Sequence, residues 1–149
     1  MTALAERVGP SGTVFGVDAA LEMVEYARAT SRGSNCRFEY GVAQSLDLPD
    51  RSFDVVTCTF AMHHIPESDR YAAIAEMYRV LRPGGSLLLA DLASVGLHGV
   101  VTRLLSRHMD PAEIDIRRYR QALVQNGFQQ VETALVRPAT RILTAVKPA

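Results

Sequence analysis

Polar side chains stand directly after the predicted strands of this chain, and their types suit two kinds of chemistry. Asp18 follows the strand predicted over residues 13–17 and precedes a helix. A carboxylate in that place can accept hydrogen bonds from both hydroxyls of a ribose, as it does in nucleotide-binding sheets. It can equally cap the helix that follows, so Asp18 alone leaves both roles open.

Proton transfer is the second kind of chemistry, and its candidates are the adjacent residues His63 and His64 in the stretch TFAMHHI. Histidine suits proton transfer near neutral pH, so either ring could act as a general base. One ring could instead pack into the core while the other shapes a pocket. A metal site that combined both rings with His98 and Cys58 would have no recognisable ligand spacing, so we predict no metal.

The elements that must position these residues alternate between strand and helix. Short runs of apolar, β-branched or aromatic residues predict strands, and these runs span residues 13–17, 36–40, 53–59 and 87–90. We expect residues 53–59 to be buried on both faces of a sheet, because the run contains Phe53, Val55, Val56 and Cys58 and is apolar enough for that position.

Two helices after residue 65 have recognisable ends. Ser68 is the expected N-cap of the longer one, and a Pro-Gly-Gly sequence at residues 83–85 is expected to terminate it. Its apolar face is predicted from residues that recur at helical spacing, namely Ile74, Met77, Tyr78 and Leu81. The other helix is expected to end at Gly127 and to begin at Asp110, with Pro111 and Glu113 in its first turn.

A strand–helix repeat that closes on an antiparallel pair, residues 128–136 and 141–146, predicts an α/β fold with a mostly parallel sheet. Ligands bind such sheets beyond the carboxyl ends of the strands. The positions that should form a site are therefore those at the strand ends: Asp18, residues 41–44, residues 59–64 and Asp91.

Composition narrows the class of protein. The 149 residues carry a formal net charge of +0, so nothing favours a nucleic-acid partner. No apolar run approaches the roughly 20 residues of a membrane span, and no signal peptide is recognisable at the start. The two cysteines have no CxxC spacing, which predicts a reduced, cytoplasmic protein.

Four motifs in order carry a resemblance to a known family. The stretches GTVFGVDAALEMVEYAR, GVAQSLDLPDRSFDVVTCTFAMHHI (which spans two motifs) and LRPGGSLLLAD resemble the class I S-adenosylmethionine-dependent methyltransferases, and within them the small-molecule enzymes related to quinone-biosynthesis methyltransferases. GFQQVETALV and RILTAVKP resemble the last two strands of that family more weakly. The resemblance implies a Rossmann-like methyltransferase sheet, mostly parallel with an antiparallel C-terminal strand. It also implies S-adenosylmethionine as cofactor and a small-molecule methyl acceptor.

The same resemblance implies a role for individual residues. Asp18 would bind the ribose, and Ala19 would lie beside the adenine pocket. Val42 occupies a place where relatives often carry Asp, so recognition of the base would fall on backbone groups and on Gln44. The remaining cofactor residues would be Ala43 beside the base, and Thr59, Phe60 and His63 around the methionine part and the methyl group.

The domain organisation that follows is one methyltransferase domain over residues 1–149, in which residues 92–118 form a variable, substrate-facing segment. His98, His108 and Tyr119 lie in or beside that segment and could line a substrate pocket, although solvated helix positions are the simpler expectation.

The start of the chain departs from the family. A first strand and a glycine-rich loop, which cradle the methionine part of the cofactor, have no counterpart, and MTALAERVGPSG matches only the end of the first helix. We therefore expect an N-terminally truncated sheet with two unpaired inner edges. The missing strand would lie between the strands predicted at residues 13–17 and 53–59. Either these two strands pair directly, or the sheet splits, or another chain supplies a strand, which would favour self-association.

Three functions compete. The first is methyl transfer to a small molecule, and the second is a truncated or degenerate relative without activity that serves as an interaction module. The third is a nicotinamide-dependent oxidoreductase, which is weak because no GxGxxG is present. Lys147 is the only lysine, and the residue four positions before it is Leu143, so the Tyr-x-x-x-Lys pair of short-chain dehydrogenases is also absent.

Overall fold

A computed structural model describes residues 2–31, 35–92, 115–136 and 140–149 of the chain. These residues form two compact units, Met1–Asp47 and Leu48–Ala149. The predictions made for His98, His108, Asp110, Pro111 and Glu113 lie outside the described residues. None of the helices within the described ranges is long and apolar enough to cross a bilayer.

The first unit is built around a parallel pair of strands. Its elements are α1 (Thr2–Val8), β1 (Val14–Asp18), α2 (Leu21–Thr30) and β2 (Cys36–Tyr40). Asp18 is opposite Tyr40 at one end of the pair. The prediction for residues 36–40 is confirmed, and the prediction for 13–17 is confirmed with a shift of one residue.

Buried apolar side chains and the side-chain amide of Asn35 stabilise this unit. Val14 of β1, Val24 of α2 and Phe38 of β2 are buried. The amide nitrogen of Asn35 lies 2.9 Å from the carbonyl oxygen of Gly9, and it also approaches two further carbonyls of α1 and the following turn. Asn35 thereby fixes the chain that enters β1 against the start of β2, although its position in the sequence gives no sign of this role.

The second unit contains a four-stranded mixed sheet. Its regular elements are β3 (Phe53–Thr59), α3 (Arg70–Val80), β4 (Leu81–Leu92), α4 (Arg120–Gln125), β5 (Gln129–Val136) and β6 (Thr140–Val146), with short 3-10 helices at Met62–His64, Glu67–Asp69 and Ile116–Tyr119. The strand order is β3-β4-β6-β5. β3 and β4 are parallel, whereas β6 is antiparallel to both of its neighbours.

This topology confirms the predicted α/β class and the antiparallel end of the chain. The described strands form two sheets, β1-β2 and β3-β4-β6-β5. Gly127 ends α4 as predicted, because its φ of 95° lies in the left-handed region that favours glycine.

The prediction that residues 53–59 are buried on both faces is wrong. β3 is an edge strand of its sheet, and within it only Cys58 is buried. Val55 is 59% exposed. The apolar composition of the run does not distinguish an edge strand from a central one, and this is why the prediction failed.

The predicted start of the longer helix also needs correction. α3 begins at Arg70, and Ser68 lies in the preceding 3-10 helix, where its hydroxyl donates to the carboxylate of Asp69 instead of capping α3. The amide of Asp69 already has an acceptor, the carbonyl of Pro66 at 2.9 Å. The N-cap residue of α3 is thus Asp69, and it makes no side-chain cap hydrogen bond.

The Pro-Gly-Gly sequence does not terminate α3, which already ends at Val80. Residues 83–85 belong to β4, which is longer than the predicted run of 87–90. Gly84 donates to the carbonyl of Lys147, and Lys147 donates back to Gly85, both at 2.9 Å. The buried ammonium of Lys147 donates to the carbonyls of Tyr78 and Leu81, so it satisfies the end of α3.

Candidate functional site

In the first unit, Asp18 ends β1 and faces the solvent. Its Oδ1 accepts the backbone N–H of Ala20 at 2.8 Å, immediately before α2 begins at Leu21. Within the described residues, the carboxylate accepts no other hydrogen bond, so Oδ2 remains available to a ligand donor. The two roles considered for Asp18 are thus compatible, because one oxygen supports the helix start and the other is open.

The loop after β2 lies beside the same end of the sheet. The amide of Gly41 donates to the carbonyl of Asp18 at 3.0 Å. Val42 and Ser45 form an isolated antiparallel bridge, which turns the chain at Ala43 and Gln44. The structure therefore gathers five predicted cofactor residues at the carboxyl ends of β1 and β2, namely Asp18, Ala19, Val42, Ala43 and Gln44.

In the second unit, Thr59 and Phe60 mark the end of β3. Phe60 has a φ of 54°, which non-glycine residues adopt rarely. Its amide donates to the carbonyl of Ala90 at 2.8 Å, and the residue is 46% exposed. Because backbone strain of this kind clusters at active and binding sites, Phe60 is a candidate contact residue at this strand end.

His63 is paired with a buried carboxylate. Its Nδ1 lies 2.9 Å from Oδ1 and 2.8 Å from Oδ2 of Asp91, the residue near the end of β4. The side chain of Asp91 is 1% exposed and that of His63 is 11% exposed. An imidazole of this kind has a fixed orientation, and its other nitrogen is free of the carboxylate.

His64 differs from His63 although the two rings are neighbours. The ring centroids lie 4.0 Å apart, but the residue is exposed. In the part of the chain that the structure describes, no carboxylate contacts the His64 ring. Of the two candidate bases, only His63 has a partner that would orient it.

Buried groups surround the turn that carries these rings. Met62 is 1% exposed, and Arg70 is 4% exposed. Arg70 donates from Nε to the carbonyl of Ile65 at 2.8 Å and from Nη2 to the carbonyl of His63 at 3.2 Å. The turn is therefore fixed both by an apolar anchor and by a guanidinium from the start of α3. Nothing in the sequence pattern indicates this role for Arg70.

Two further titratable groups border the pair. Burial raises the pKa of the Cys58 thiol to about 11, and the charge of Asp91 adds to this effect, so the thiol is protonated near neutral pH. Tyr119 is 3% exposed, which contradicts its expected solvated position. Its hydroxyl and Arg70 Nη1 are buried without hydrogen-bond partners in the described residues.

Comparison with known proteins identifies relatives over most of the chain. Residues 1–85 match the family described as methyltransferase domain. An uncharacterized methyltransferase, YcgJ of Bacillus subtilis (strain 168), is 49% identical over 80 residues, which cover 52% of this chain and 31% of that protein. A demethylmenaquinone methyltransferase of Deinococcus radiodurans is 40% identical over 112 residues, which cover 72% of this chain and 45% of that protein.

A solved structure agrees with the fold. The crystal structure of a SAM-dependent methyltransferase from Aquifex aeolicus superposes with a TM-score of 0.80, covers 97% of this chain and 74% of that one, and is 21% identical. The chain thus has the Rossmann-like methyltransferase fold. It spans only about a third to a half of the length of the two curated relatives named above.

Proposed function

Because the chain belongs to the methyltransferase domain family, which implies S-adenosylmethionine as cofactor, we propose that it transfers the methyl group of that cofactor to a small-molecule acceptor. The observation that carries the proposal is the open oxygen of Asp18. A carboxylate at the end of β1, with one oxygen already engaged by the helix start, is chemically fitted to accept from a ribose hydroxyl.

The other predicted residues take the roles that the resemblance implies. Ala19 and the loop residues Val42, Ala43 and Gln44 would contact the adenine, with Val42 and Ala43 acting through their backbone groups. Thr59 and Phe60 would contact the methionine part. When bound, S-adenosylmethionine supplies a methyl group on a positively charged sulfur, and the chain contributes binding, orientation and exclusion of water.

The acceptor is proposed from the relatives. Several of them are named demethylmenaquinone methyltransferases. These names favour a hydroxylated aromatic ring of the quinone type as acceptor for this chain as well. Residues 92–118, proposed as the substrate-facing segment, would then determine which ring is accepted.

Calorimetric titration with S-adenosylmethionine tests the proposal. Asp18→Asn keeps an oxygen that can accept the Ala20 amide but removes the charge, so the helix start should persist while the affinity falls about 10-fold or more. Glu25→Gln, which removes an exposed carboxylate of α2, is the matched control and should bind as the wild type does. No binding by folded wild-type protein at millimolar ligand would contradict the proposal and favour a non-catalytic role.

The compartment and the oligomeric state of the chain can also be proposed. The reduced cytoplasm is the proposed compartment, and two free thiols, Cys36 and Cys58, support it. Self-association is proposed through the edge of β3 that faces no neighbouring strand among the described residues, around the exposed Val55. Sedimentation at increasing protein concentration would show whether the chain dimerises.

A further inference from the structure

The contact with Asp91 determines which nitrogen of His63 can react. Both oxygens of the carboxylate lie within hydrogen-bond distance of Nδ1. An ionised carboxylate only accepts hydrogen bonds, so Nδ1 must carry the hydrogen, and the neutral ring then has its lone pair on Nε2. His63 is thereby fixed in the one tautomer whose Nε2 can take a proton from another molecule.

Several contacts hold this arrangement in place. Asp91 also accepts the amide of Leu92 at 2.9 Å, which fixes the carboxylate at the end of β4. Arg70 binds the carbonyls of His63 and Ile65, which fixes the backbone of the turn. The ring and its carboxylate are largely buried. A base that is oriented before its substrate arrives avoids the entropy cost of being ordered during the reaction.

We propose that His63 is the general base of the methyl transfer, that Asp91 is its positioning residue, and that the acceptor is a phenol-type compound methylated on a hydroxyl oxygen. This inference rests on the proposed function. The O–H proton moves to Nε2 of His63 while the oxygen forms its bond to the methyl carbon. The pair of electrons of the breaking C–S bond stays on sulfur, which leaves neutral S-adenosylhomocysteine, and His63 later releases the proton to water.

A base at His63 accelerates some acceptors more than others, according to their acidity. A neutral hydroxyl group is a weak nucleophile until its proton leaves, so a positioned base accelerates its reaction by roughly 100-fold to 10,000-fold. An acceptor that is already ionised in solution has no proton to lose and gains nothing from the base. His63 should therefore matter only for the weakly acidic acceptors.

Nitrogen NMR of histidine-labelled protein tests the positioning without any cofactor. At a pH where the imidazole is neutral, we expect the His63 ring to carry its hydrogen on Nδ1, with the signals assigned by their loss in His63→Gln. In Asp91→Asn the side-chain amide can donate to Nδ1, so we expect the hydrogen to move partly or wholly to Nε2. A wild-type ring protonated on Nε2 would overturn the role of Asp91.

Kinetics with S-adenosylmethionine and a series of ring-substituted 1-naphthols of graded acidity test the base. We expect His63→Gln to lower kcat about 100-fold or more for the least acidic naphthols. For ionised naphthols kcat should stay within about 3-fold of the wild-type value, and KM for the cofactor should change little. Asp91→Asn should lower kcat at least 10-fold for the same acceptors, and Asp54→Asn, an exposed carboxylate of β3, should not. Added imidazole should partly rescue His63→Ala but not Asp91→Asn.

Different results would contradict the base, the acceptor class and the proposed function. The role of His63 as base would be overturned if His63→Gln lowered kcat equally for ionised and neutral naphthols. It would also be overturned if His64→Gln lowered kcat as much as His63→Gln does. Cofactor binding by the wild type without methylation of any naphthol would overturn the acceptor class while leaving methyl transfer intact. An absence of cofactor binding would instead remove the proposed function itself, whereas the tautomer measured by NMR would still show whether Asp91 positions His63.

Discussion

Asp91 shows how one side chain can change the role of another. It is buried, accepts from the His63 ring and from the Leu92 amide, and thereby orients one of two adjacent histidines, the one proposed as the base. The sequence indicated both histidines and indicated Asp91 as a strand-end residue. It could not indicate that they meet, because the contact depends on how far the turn at residues 62–64 reaches towards β4.

Tyr119 leads to a prediction about stability. Its hydroxyl is buried without a hydrogen-bond partner in the described residues, which costs free energy because the group loses its contact with water. Burial also raises the pKa of the phenol, while the charges of Arg70 and Arg118 and a weak side-chain interaction with Arg70, too poor in geometry to count as a hydrogen bond, oppose that rise. We expect Tyr119→Phe to leave the free energy of unfolding unchanged or to raise it by up to about 1 kcal/mol.

Urea unfolding followed by circular dichroism measures this effect. Tyr71→Phe is the matched control, because Tyr71 is 58% exposed and its hydroxyl can contact water. It should change the stability by less than about 0.5 kcal/mol. A clear destabilisation by Tyr119→Phe would mean that the hydroxyl accepts a hydrogen bond from the buried guanidinium of Arg70.

At the scale of elements, the 3-10 helix Ile116–Tyr119 is tied to the sheet by charge. Asp115 accepts the amide of Arg117 at 3.1 Å and the guanidinium of Arg141 on β6 at 3.0 Å. Hydrogen bonds donated by the Arg117 side chain lower the pKa of Asp115 to about 2, against a smaller opposing effect of burial. The carboxylate therefore links the start of this helix to β6.

That link predicts a specific loss of stability in acid. The pKa of Asp115 is depressed in the folded state, so its contribution is complete above the unfolded value of about 3.9 and disappears as the pH falls through about 2. After allowance for solvent screening of these partly exposed groups, we expect about 1 kcal/mol. The destabilisation caused by Asp115→Asn should accordingly be larger at pH 5 than at pH 2.

Urea titrations of both proteins at the two pH values measure the difference. Asp54→Asn provides the comparison, because Asp54 pairs with Arg82 but its side chain is 79% exposed. Its effect should be small at either pH. A destabilisation by Asp115→Asn that stays constant with pH would show that the carboxylate acts through its geometry and not through its charge.

The elements themselves were largely predictable, and the failures share one physical cause. Residues 36–40 and 53–59 have the predicted bounds because their β-branched and aromatic composition is local information. The burial of residues 53–59 and the role of the Pro-Gly-Gly sequence were mispredicted because both depend on distant partners. The edge position of β3 and the pairing of Gly84 with Lys147 are decided by the topology of the sheet.

At the scale of the molecule, the two units carry their candidate residues in the same kind of place. A parallel pair of strands ends in polar or aromatic residues on its carboxyl side, with Asp18 and the loop at 41–45 in the first unit and Phe60, His63 and Asp91 in the second. Parallel strands place such residues side by side because all their carboxyl ends lie at one edge. This rule is why the candidate residues could be chosen from the sequence before any contact was known.

Each unit also contains one thiol, and this leads to a prediction for the whole chain. Cys36 of β2 is partly exposed, whereas Cys58 of β3 is buried, and its raised pKa of about 11 leaves roughly one thiolate in a thousand at pH 8. A disulfide reagent should therefore modify Cys36 in native buffer and modify Cys58 at least about 100-fold more slowly. Cys36→Ser and Cys58→Ser assign the two rates, and in urea the reaction of Cys58 should follow the unfolding of the four-stranded sheet. Equal native rates would contradict the burial of Cys58 beside β4.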